Sequence, residues 1–157
     1  MTMKTSRIRA RAGFTMIEML VAMCVVAILL ALAGPFLTNM GAAQQVRTAS
    51  YDVYSTLTQA RSEALTRNTL VTVTPISGNW AQGWTVTQAD GTVLRRQSAY
   101  PNIALTGPAQ IIYSGEGRPS TTATPFLFSA GNVTSEAWRC LRVRLNGRAS
   151  ISRGPCA

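Results

Sequence analysis

Apolar residues follow two distinct patterns along this chain, and the first is one long uncharged stretch. No residue of Met19–Leu37 carries a charge, and the longer stretch Phe14–Leu37 is interrupted only by Glu18. A helix needs about 20 apolar residues to cross a membrane. Residues 14–37 are therefore predicted to form a membrane-spanning helix, and we expect Gly34-Pro35 to bend this helix rather than end it.

The second pattern is a set of apolar residues at spacings of 7, 4, 3 and 4 along the following segment. Its members are Val46, Val53, Leu57, Ala60 and Ala64. This spacing places them on one face of a helix. Residues 38–68 are therefore predicted to be the amphipathic second half of the helix, regular from about residue 42 to Arg67 and stopped near Asn68. Its apolar face is expected to pack on the segments that follow.

From Leu70 onward, short runs of β-type residues alternate with turn residues. The predicted strands lie at residues 70–74, 84–87, 92–94, 103–105, 111–113, 126–128 and 141–145. Asp90-Gly91 separates two of them and is a hairpin signal. Residues 69–157 are predicted to form a β-rich head. The expected fold class is α+β, with one long N-terminal helix packed on a predominantly antiparallel β-sheet.

Composition excludes most enzyme classes. The 157 residues include no His and only six carboxylates, which are scattered along the chain. The commonest general base and a major zinc ligand are therefore missing. No nucleophile–base pair and no cluster of metal ligands is present. We predict that the protein is not an enzyme and has no catalytic residue, no metal site and no cofactor.

The net charge of +9 is concentrated at the two ends of the chain. Residues 1–13 contain four basic residues and no acid, and residues 139–157 contain five arginines and no acid. Positive charges beside a membrane span stay on the cytoplasmic side, so the head is expected to be exported. An ordinary cleaved secretory peptide fits less well, because the apolar run is too long and Gly34-Pro35-Phe36 is a poor cleavage site.

The junction of the basic segment and the apolar stretch is Gly13-Phe14-Thr15-Met16-Ile17-Glu18. A carboxylate inside a membrane helix costs about 2.5–3.5 kcal/mol on insertion scales. Glu18 therefore either reaches the headgroups at the interface or has a partner. The string resembles the processing site of type IV prepilins and type II secretion pseudopilins. In that family a basic leader ends in Gly and is followed by Phe, Thr, two hydrophobic residues and Glu.

This resemblance implies that a prepilin peptidase cuts after Gly13 and that Phe14 is then N-methylated. It implies that Glu18 meets the N-terminal amine of a neighbouring subunit, an arrangement that removes two desolvation penalties at once. Loss of the leader, residues 1–13, lowers the net charge from +9 to +5. The implied partners are prepilin peptidase, other major and minor pilins or pseudopilins, and inner-membrane lipid. The implied location is the bacterial inner membrane, with the head in the periplasm, and then a filament.

Within this class, the head resembles the GspH/FimT family of minor pilins and pseudopilins. The resemblance is carried by Ala60-Arg61-Ser62-Glu63-Ala64-Leu65, Arg67-Asn68, Trp80-Ala81-Gln82-Gly83-Trp84 and Gly147-Arg148. By their chemistry, Trp80 and Trp84 are expected to pack in the core, and Arg61 and Glu63 to lie on a solvated helix face. The implied function is a subunit of a type IV pilus or of a type II secretion pseudopilus, and both alternatives stay open.

The three cysteines lie in two settings. Cys24 belongs to the apolar helix and is interpreted as a small buried hydrophobic residue. Cys140 and Cys156 lie in the exported part, where disulfides persist, so we predict that they pair. Closing a loop of about 15 residues in this way stabilises a protein by roughly 3 kcal/mol.

Residues 141–151, inside that loop, are predicted to form a hairpin around Asn146-Gly147. A three-residue loop with Gly147 in the left-handed conformation pairs Leu141 with Ile151 and Val143 with Ala149. This register collects the apolar residues on one face of the hairpin. The other face then holds Arg142, Arg144, Arg148 and Ser150.

The arginine-rich end comprises Arg142, Arg144, Arg148 and Arg153 and contains no acid. Alternation on a half-buried sheet by itself places arginines in solvent. A functional interpretation is docking on acidic surfaces of neighbouring minor pilins or of the secretion machinery. Another is binding of DNA phosphates, since some FimT-like minor pilins bind DNA in natural transformation through a Gly-Arg-x-Arg motif. Gly147-Arg148-Ala149 matches that motif, whereas Ser150 replaces its second Arg.

Overall fold

The computed structural model describes the backbone of residues 14–120, 124–131 and 133–156, and their side chains except at 32–39. It divides into two compact units, Met1–Leu37 and Thr38–Ala157. The predicted leader, residues 1–13, lies outside the described residues, and so does its cleavage residue Gly13.

One helix, α1 (Met16–Arg67), covers most of the two predicted helical segments, residues 14–37 and 38–68. Thr15 precedes it, and its hydroxyl oxygen accepts a hydrogen bond from the Glu18 backbone N–H at 3.3 Å. This bond satisfies one of the donors that the first turn leaves without an intrahelical partner. The helix continues through Gly34 and Pro35 instead of ending there.

The second half of α1 buries one face in the head, as its spacing predicts. The buried residues are Ala42, Val46, Ala49, Ser50, Val53, Thr56, Leu57, Ala60 and Ala64. The helix ends where Asn68 takes a positive φ of 50°. The N–H of the next residue, Thr69, donates to the Ala64 carbonyl at 3.2 Å and so uses one of the last free carbonyls of the helix. The predicted helix end is confirmed.

In the described part of the head, eight strands form two antiparallel sheets. The strands are β1 (Val71–Pro75), β2 (Trp84–Gln88), β3 (Val93–Gln97), β4 (Ala104–Thr106), β5 (Ile111–Tyr113), β6 (Phe126–Ser129), β7 (Arg139–Val143) and β8 (Ala149–Arg153). The strand order is β3-β2-β1-β5 in the first sheet and β4-β6-β7-β8 in the second. The predicted α+β fold is confirmed, with two sheets in place of the single one expected.

Aromatic side chains join α1 and both sheets into one core. The Trp84 Nε1–H donates to the Thr56 hydroxyl on α1 at 3.2 Å. The Trp80 Nε1–H donates to the Pro108 carbonyl at 2.7 Å, and the Trp80 ring meets Phe126 of β6 edge to face at 4.8 Å. The indole N–H groups of Trp80 and Trp84 therefore both have an acceptor, which avoids a desolvation cost of about 1–3 kcal/mol for each. Both tryptophans are buried, and their predicted place in the core is confirmed.

Gly83, between the two tryptophans, has a backbone conformation that requires glycine. Its φ is 95°, in the region that favours glycine. A Cβ at this position would lie 2.1 Å from the Gln97 carbonyl oxygen. The Trp80–Trp84 motif is thus explained by the packing of the core.

Candidate functional site

The first candidate region is the N-terminal end of α1, which carries the predicted processing and assembly residues. Phe14 precedes the helix and is 74% exposed. Glu18 is exposed in the first helical turn, where the helix macrodipole favours a negative charge. The carboxylate of Glu18 and the residue predicted to become the new N-terminus therefore belong to the same end of the helix.

Apolar side chains are exposed on all sides of the first turns of α1. The large ones are 50–89% exposed and comprise Met16, Ile17, Met19, Leu20, Val21, Met23, Val25, Val26, Ile28, Leu29 and Leu30. A helix on the surface of a water-soluble protein has one apolar stripe, whereas a helix that is apolar all round requires an apolar environment. Cys24, interpreted from the sequence as buried, is exposed together with its apolar neighbours. That interpretation is wrong for the single chain.

Among the described residues, no stretch of helix has both the length and the hydropathy that a membrane span requires. The predicted span, residues 14–37, includes residues 32–39, whose side chains lie outside the described part. The span stays a prediction.

The second candidate region is the β7–β8 hairpin, and its predicted register is confirmed. Gly147 has a φ of 79°, and the Arg144 N–H donates to the Arg148 carbonyl at 3.0 Å, which leaves three residues in the loop. The predicted apolar pairs are both present, Leu141 with Ile151 and Val143 with Ala149.

Gly147 is buried where the hairpin turn meets α1. A Cβ there would lie 2.0 Å from the Gly117 carbonyl oxygen and 2.8 Å from Arg61 Nε. Arg61 Nε–H donates to the same carbonyl at 2.9 Å, so its predicted place on a solvated face is wrong. Its guanidinium instead donates the hydrogen bond that satisfies the Gly117 carbonyl. Glu63 is half-buried and pairs with Arg67 at 2.7 Å, one helical turn away.

The hairpin presents three of the four predicted arginines on one exposed face. Arg142 lies opposite Ser150 in the ladder, and partners in a ladder point to the same side of the sheet. We call this group the outer arginine face, and its members are Arg142, Arg144 and Arg148. Three cations on a small exposed surface attract polyanions and acidic protein surfaces.

Arg153 lies on the opposite side of the hairpin from the outer arginine face. Its ladder partner is Arg139, and both are in phase with the core residue Leu141. Arg153 and Arg139 line a small cavity together with Arg47 and Tyr51 of α1. The structure therefore separates Arg153 from the three arginines with which the sequence groups it.

Arg47 and Arg139 are site residues that the sequence analysis missed. Burial lowers the pKa of Arg139, and the nearby charges of Arg153 and Arg47 lower it further. The predicted hairpin register, extended by two residues, already places Arg139 opposite Arg153. The approach of Arg47 depends on how α1 packs on the sheet, and no local pattern signals it.

Cys140 and Cys156 form a disulfide, which confirms the predicted pairing. The bond ties the C-terminal segment to β7. The same segment is held by the Gly154 N–H, which donates to the Trp138 carbonyl at 3.0 Å. Strand β7, which carries Arg139 and Arg142, is thus held by the disulfide as well as by its hydrogen bonds to β8.

A polar network joins α1 to the segment after β3. The Tyr100 hydroxyl donates to the Asp52 carboxylate and accepts from Gln97 Nε2 at 2.9 Å. Burial, and next the hydrogen bond to Asp52, raise the pKa of Tyr100. Arg95 donates to Gln59 of α1 at 3.1 Å.

In the part of the chain that is described, no three acidic or cysteine side chains are grouped so as to hold a metal ion.

Comparisons with known proteins agree with this arrangement. Residues 49–147 match the family described as type II transport protein GspH, and residues 8–34 match the prokaryotic N-terminal methylation motif. No curated protein matches the chain.

Two solved structures of the type IV minor pilin FimU from Pseudomonas aeruginosa resemble the chain. In one crystal form, the identity is 17% and the TM-score is 0.62, and the match covers 71% of this chain and 93% of the crystallised FimU chain. In the other, the identity is 18% and the TM-score 0.60, covering 69% and 96%. This likeness establishes the pilin-like fold, and the match to GspH covers more than half of the chain. The chain belongs to the GspH/FimT-like family of type IV prepilin-like proteins, with an N-terminal methylation motif at its start.

Proposed function

We propose that this protein is a minor pilin or pseudopilin, a non-enzymatic subunit of a type IV pilus or of a type II secretion pseudopilus. Before assembly, residues 14–37 hold it in the bacterial inner membrane, with the head in the periplasm. One observation carries the proposal. A methylation motif leads into a helix that is apolar on all sides, and the same chain continues into a GspH-type head.

The first step is processing by prepilin peptidase. The enzyme cuts between Gly13 and Phe14, and the new Phe14 amine is methylated. Phe14 and Thr15 are not part of α1, so cleavage does not require the helix to unwind. The four positive charges of the leader leave with it.

The second step is assembly through the N-terminal half of α1. The exposed apolar side chains exchange lipid for the helices of other subunits. Glu18 then accepts the N-terminal amine of a neighbour, and each charge offsets the cost of burying the other in an apolar environment. Glu18 and the apolar helix surface thus act together to give a filament core.

Substitution of Glu18 tests this proposal. In producing cells, Glu18→Leu should leave leader cleavage intact, as followed by the size of the chain, but should deplete the protein from the sheared filament fraction at least tenfold. Glu63→Leu is the matched control, because Glu63 is a half-buried carboxylate on the same helix within the head. Normal incorporation of Glu18→Leu would refute the pairing role.

The outer arginine face favours a second function, DNA binding. Arg142, Arg144 and Arg148 are exposed on one face of a hairpin whose first strand carries the disulfide, an arrangement that suits phosphates along a backbone. The full chain in detergent should shift duplex DNA at low salt. Arg148→Ala should weaken that shift and reduce the salt slope by about 1, whereas Arg96→Ala, at an exposed position on β3, should not. No shift at low salt would exclude DNA and leave an acidic protein surface as the partner of this face.

A further inference from the structure

Three arginines from separate elements meet on the side of the hairpin that faces α1. Arg47 comes from the helix, Arg139 from β7 and Arg153 from β8, and Tyr51 lines the same cavity. We call this cluster the arginine pocket. Arg139 and Arg153 are direct partners in the antiparallel ladder.

The arginine pocket opposes folding. Like charges placed directly opposite each other on antiparallel strands are destabilising. Burial lowers the pKa of Arg139, and the charges of Arg153 and Arg47 lower it further, as expected for cations that lie near one another. Within the described part of the chain, the residues that line this cavity include no acid. The repulsion is therefore not relieved by a carboxylate in the cavity wall.

The fold nevertheless holds two of these side chains in place. Arg139 donates from one terminal nitrogen to the carbonyls of Ala137 and Trp138, at 3.0 and 2.8 Å. The Arg47 guanidinium lies over the Tyr51 ring, 5.9 Å from its centre, within the range of a cation–π contact. Charges that destabilise a fold and are still positioned by it are typical of a binding site.

The shape of the cluster defines the ligand. A nucleic acid strand carries a charge about every 3.4 Å along the helix axis, so it is best met by a row of cations such as the outer arginine face. The three arginines of the arginine pocket instead line one small cavity, which suits one small anionic group. Guanidinium groups bind a carboxylate in a planar, bidentate geometry.

The surroundings indicate a protein as the source of that carboxylate. Strand β8 is at the edge of its sheet in the described part of the head, so an incoming chain meets unpaired backbone groups beside the pocket. Tyr51, on the rim, is 53% exposed. We propose that the arginine pocket is a docking site for one Asp or Glu side chain of a neighbouring pilin-type subunit. This inference rests on the proposed function.

Site-specific photo-crosslinking of the full chain, in cells that assemble it, tests the inference. A photo-reactive phenylalanine analogue replaces Tyr51 and keeps an aromatic ring beside Arg47. Illumination should give an adduct with a second pilin-type subunit, attached close to an acidic residue. Arg153→Glu should lower the adduct yield at least fivefold. Arg96→Glu, the same charge reversal on the exposed surface of the other sheet, should leave the yield within twofold.

A charge exchange adds a second readout. An arginine in place of the acidic residue found at the adduct should restore the yield in the Arg153→Glu background, which a merely structural effect of Arg153 would not produce. A yield unaffected by Arg153→Glu would overturn the pocket, and so would adducts formed mainly with phospholipid or nucleic acid.

The same cells separate this inference from the proposed function. If the unsubstituted chain keeps its leader or never enters the sheared filaments, the proposed function fails. If the chain is processed and assembled while the adduct is unaffected by Arg153→Glu, only the pocket fails.

Discussion

The two halves of α1 are both regular helix, but only the second half buries its apolar residues. Between residues 42 and 64 the apolar side chains form one stripe, and the head of the same chain covers it. Between residues 16 and 30 they surround the helix and remain exposed. The first half thus leaves its apolar surface exposed in the single chain, whereas the head of the same chain covers the second half. One continuous helix therefore combines a buried apolar stripe with an exposed apolar surface.

The largest expected effect comes from matched leucine truncations in the two halves. Leu57→Ala should lower the free energy of unfolding of the head by about 2–5 kcal/mol, because a fully buried side chain leaves a cavity. Leu29→Ala should change it by less than about 0.5 kcal/mol and act on assembly instead. Denaturant titration of the full chain in detergent, followed by tryptophan fluorescence, measures both. Equal losses would contradict the division between the halves.

Cysteine substitutions give the next effect. Removal of the disulfide by Cys140→Ser with Cys156→Ser should cost the head roughly 3 kcal/mol, since the unfolded chain regains its freedom. Cys24→Ser, in the first half of α1, should leave the free energy of unfolding of the head unchanged in the same titration. A loss below about 1 kcal/mol for the double variant would show that the ladder alone holds the C-terminus.

The junction of α1 and the hairpin is tested by two glycines with the same backbone conformation. Gly147→Ala and Gly91→Ala both place a side chain at positive φ, which costs about 1–2 kcal/mol. Only Gly147 also meets neighbouring atoms, the nearest at 2.0 Å, which adds about 1–3 kcal/mol of overpacking. Thermal melts should give Gly147→Ala a lower melting temperature than Gly91→Ala. The opposite order would mean that the Arg61–Gly117 contact yields easily.

The smallest effect concerns alkaline pH. Burial raises the pKa of Tyr113 to about 12, and the pKa of Tyr100 is raised as well. Between the unfolded value near 10 and these folded values, the unfolded state binds fewer protons, so stability falls as pH rises. Melting temperatures from pH 9 to 11.5 should fall less steeply in Tyr113→Phe than in the unsubstituted chain. Leu29→Ala should follow the unsubstituted profile.

Much of this fold follows from local patterns. The helix end at Arg67, the buried stripe of α1 and the pairing of Leu141 with Ile151 were all predictable from side-chain period and turn chemistry. The number of sheets was not predictable, because the sequence of a strand three to five residues long does not indicate which non-adjacent strand it pairs with. The exposure of Cys24 was missed because an apolar sequence predicts burial, whereas no part of the described head covers this stretch of α1.

By itself, the sequence determined where the helix gives way to strands and how the last hairpin pairs, because both depend on neighbours along the chain. It also determined which cysteines pair, because disulfides persist in the exported part of a protein. Tertiary structure decided the sites. Arg61 reaches Gly117 across 56 residues of sequence, and Arg47 lines the same cavity as Arg153 only because α1 packs in the head. Alternation predicts which arginines avoid the core. The packing of α1 in the head determines which of them line the same cavity.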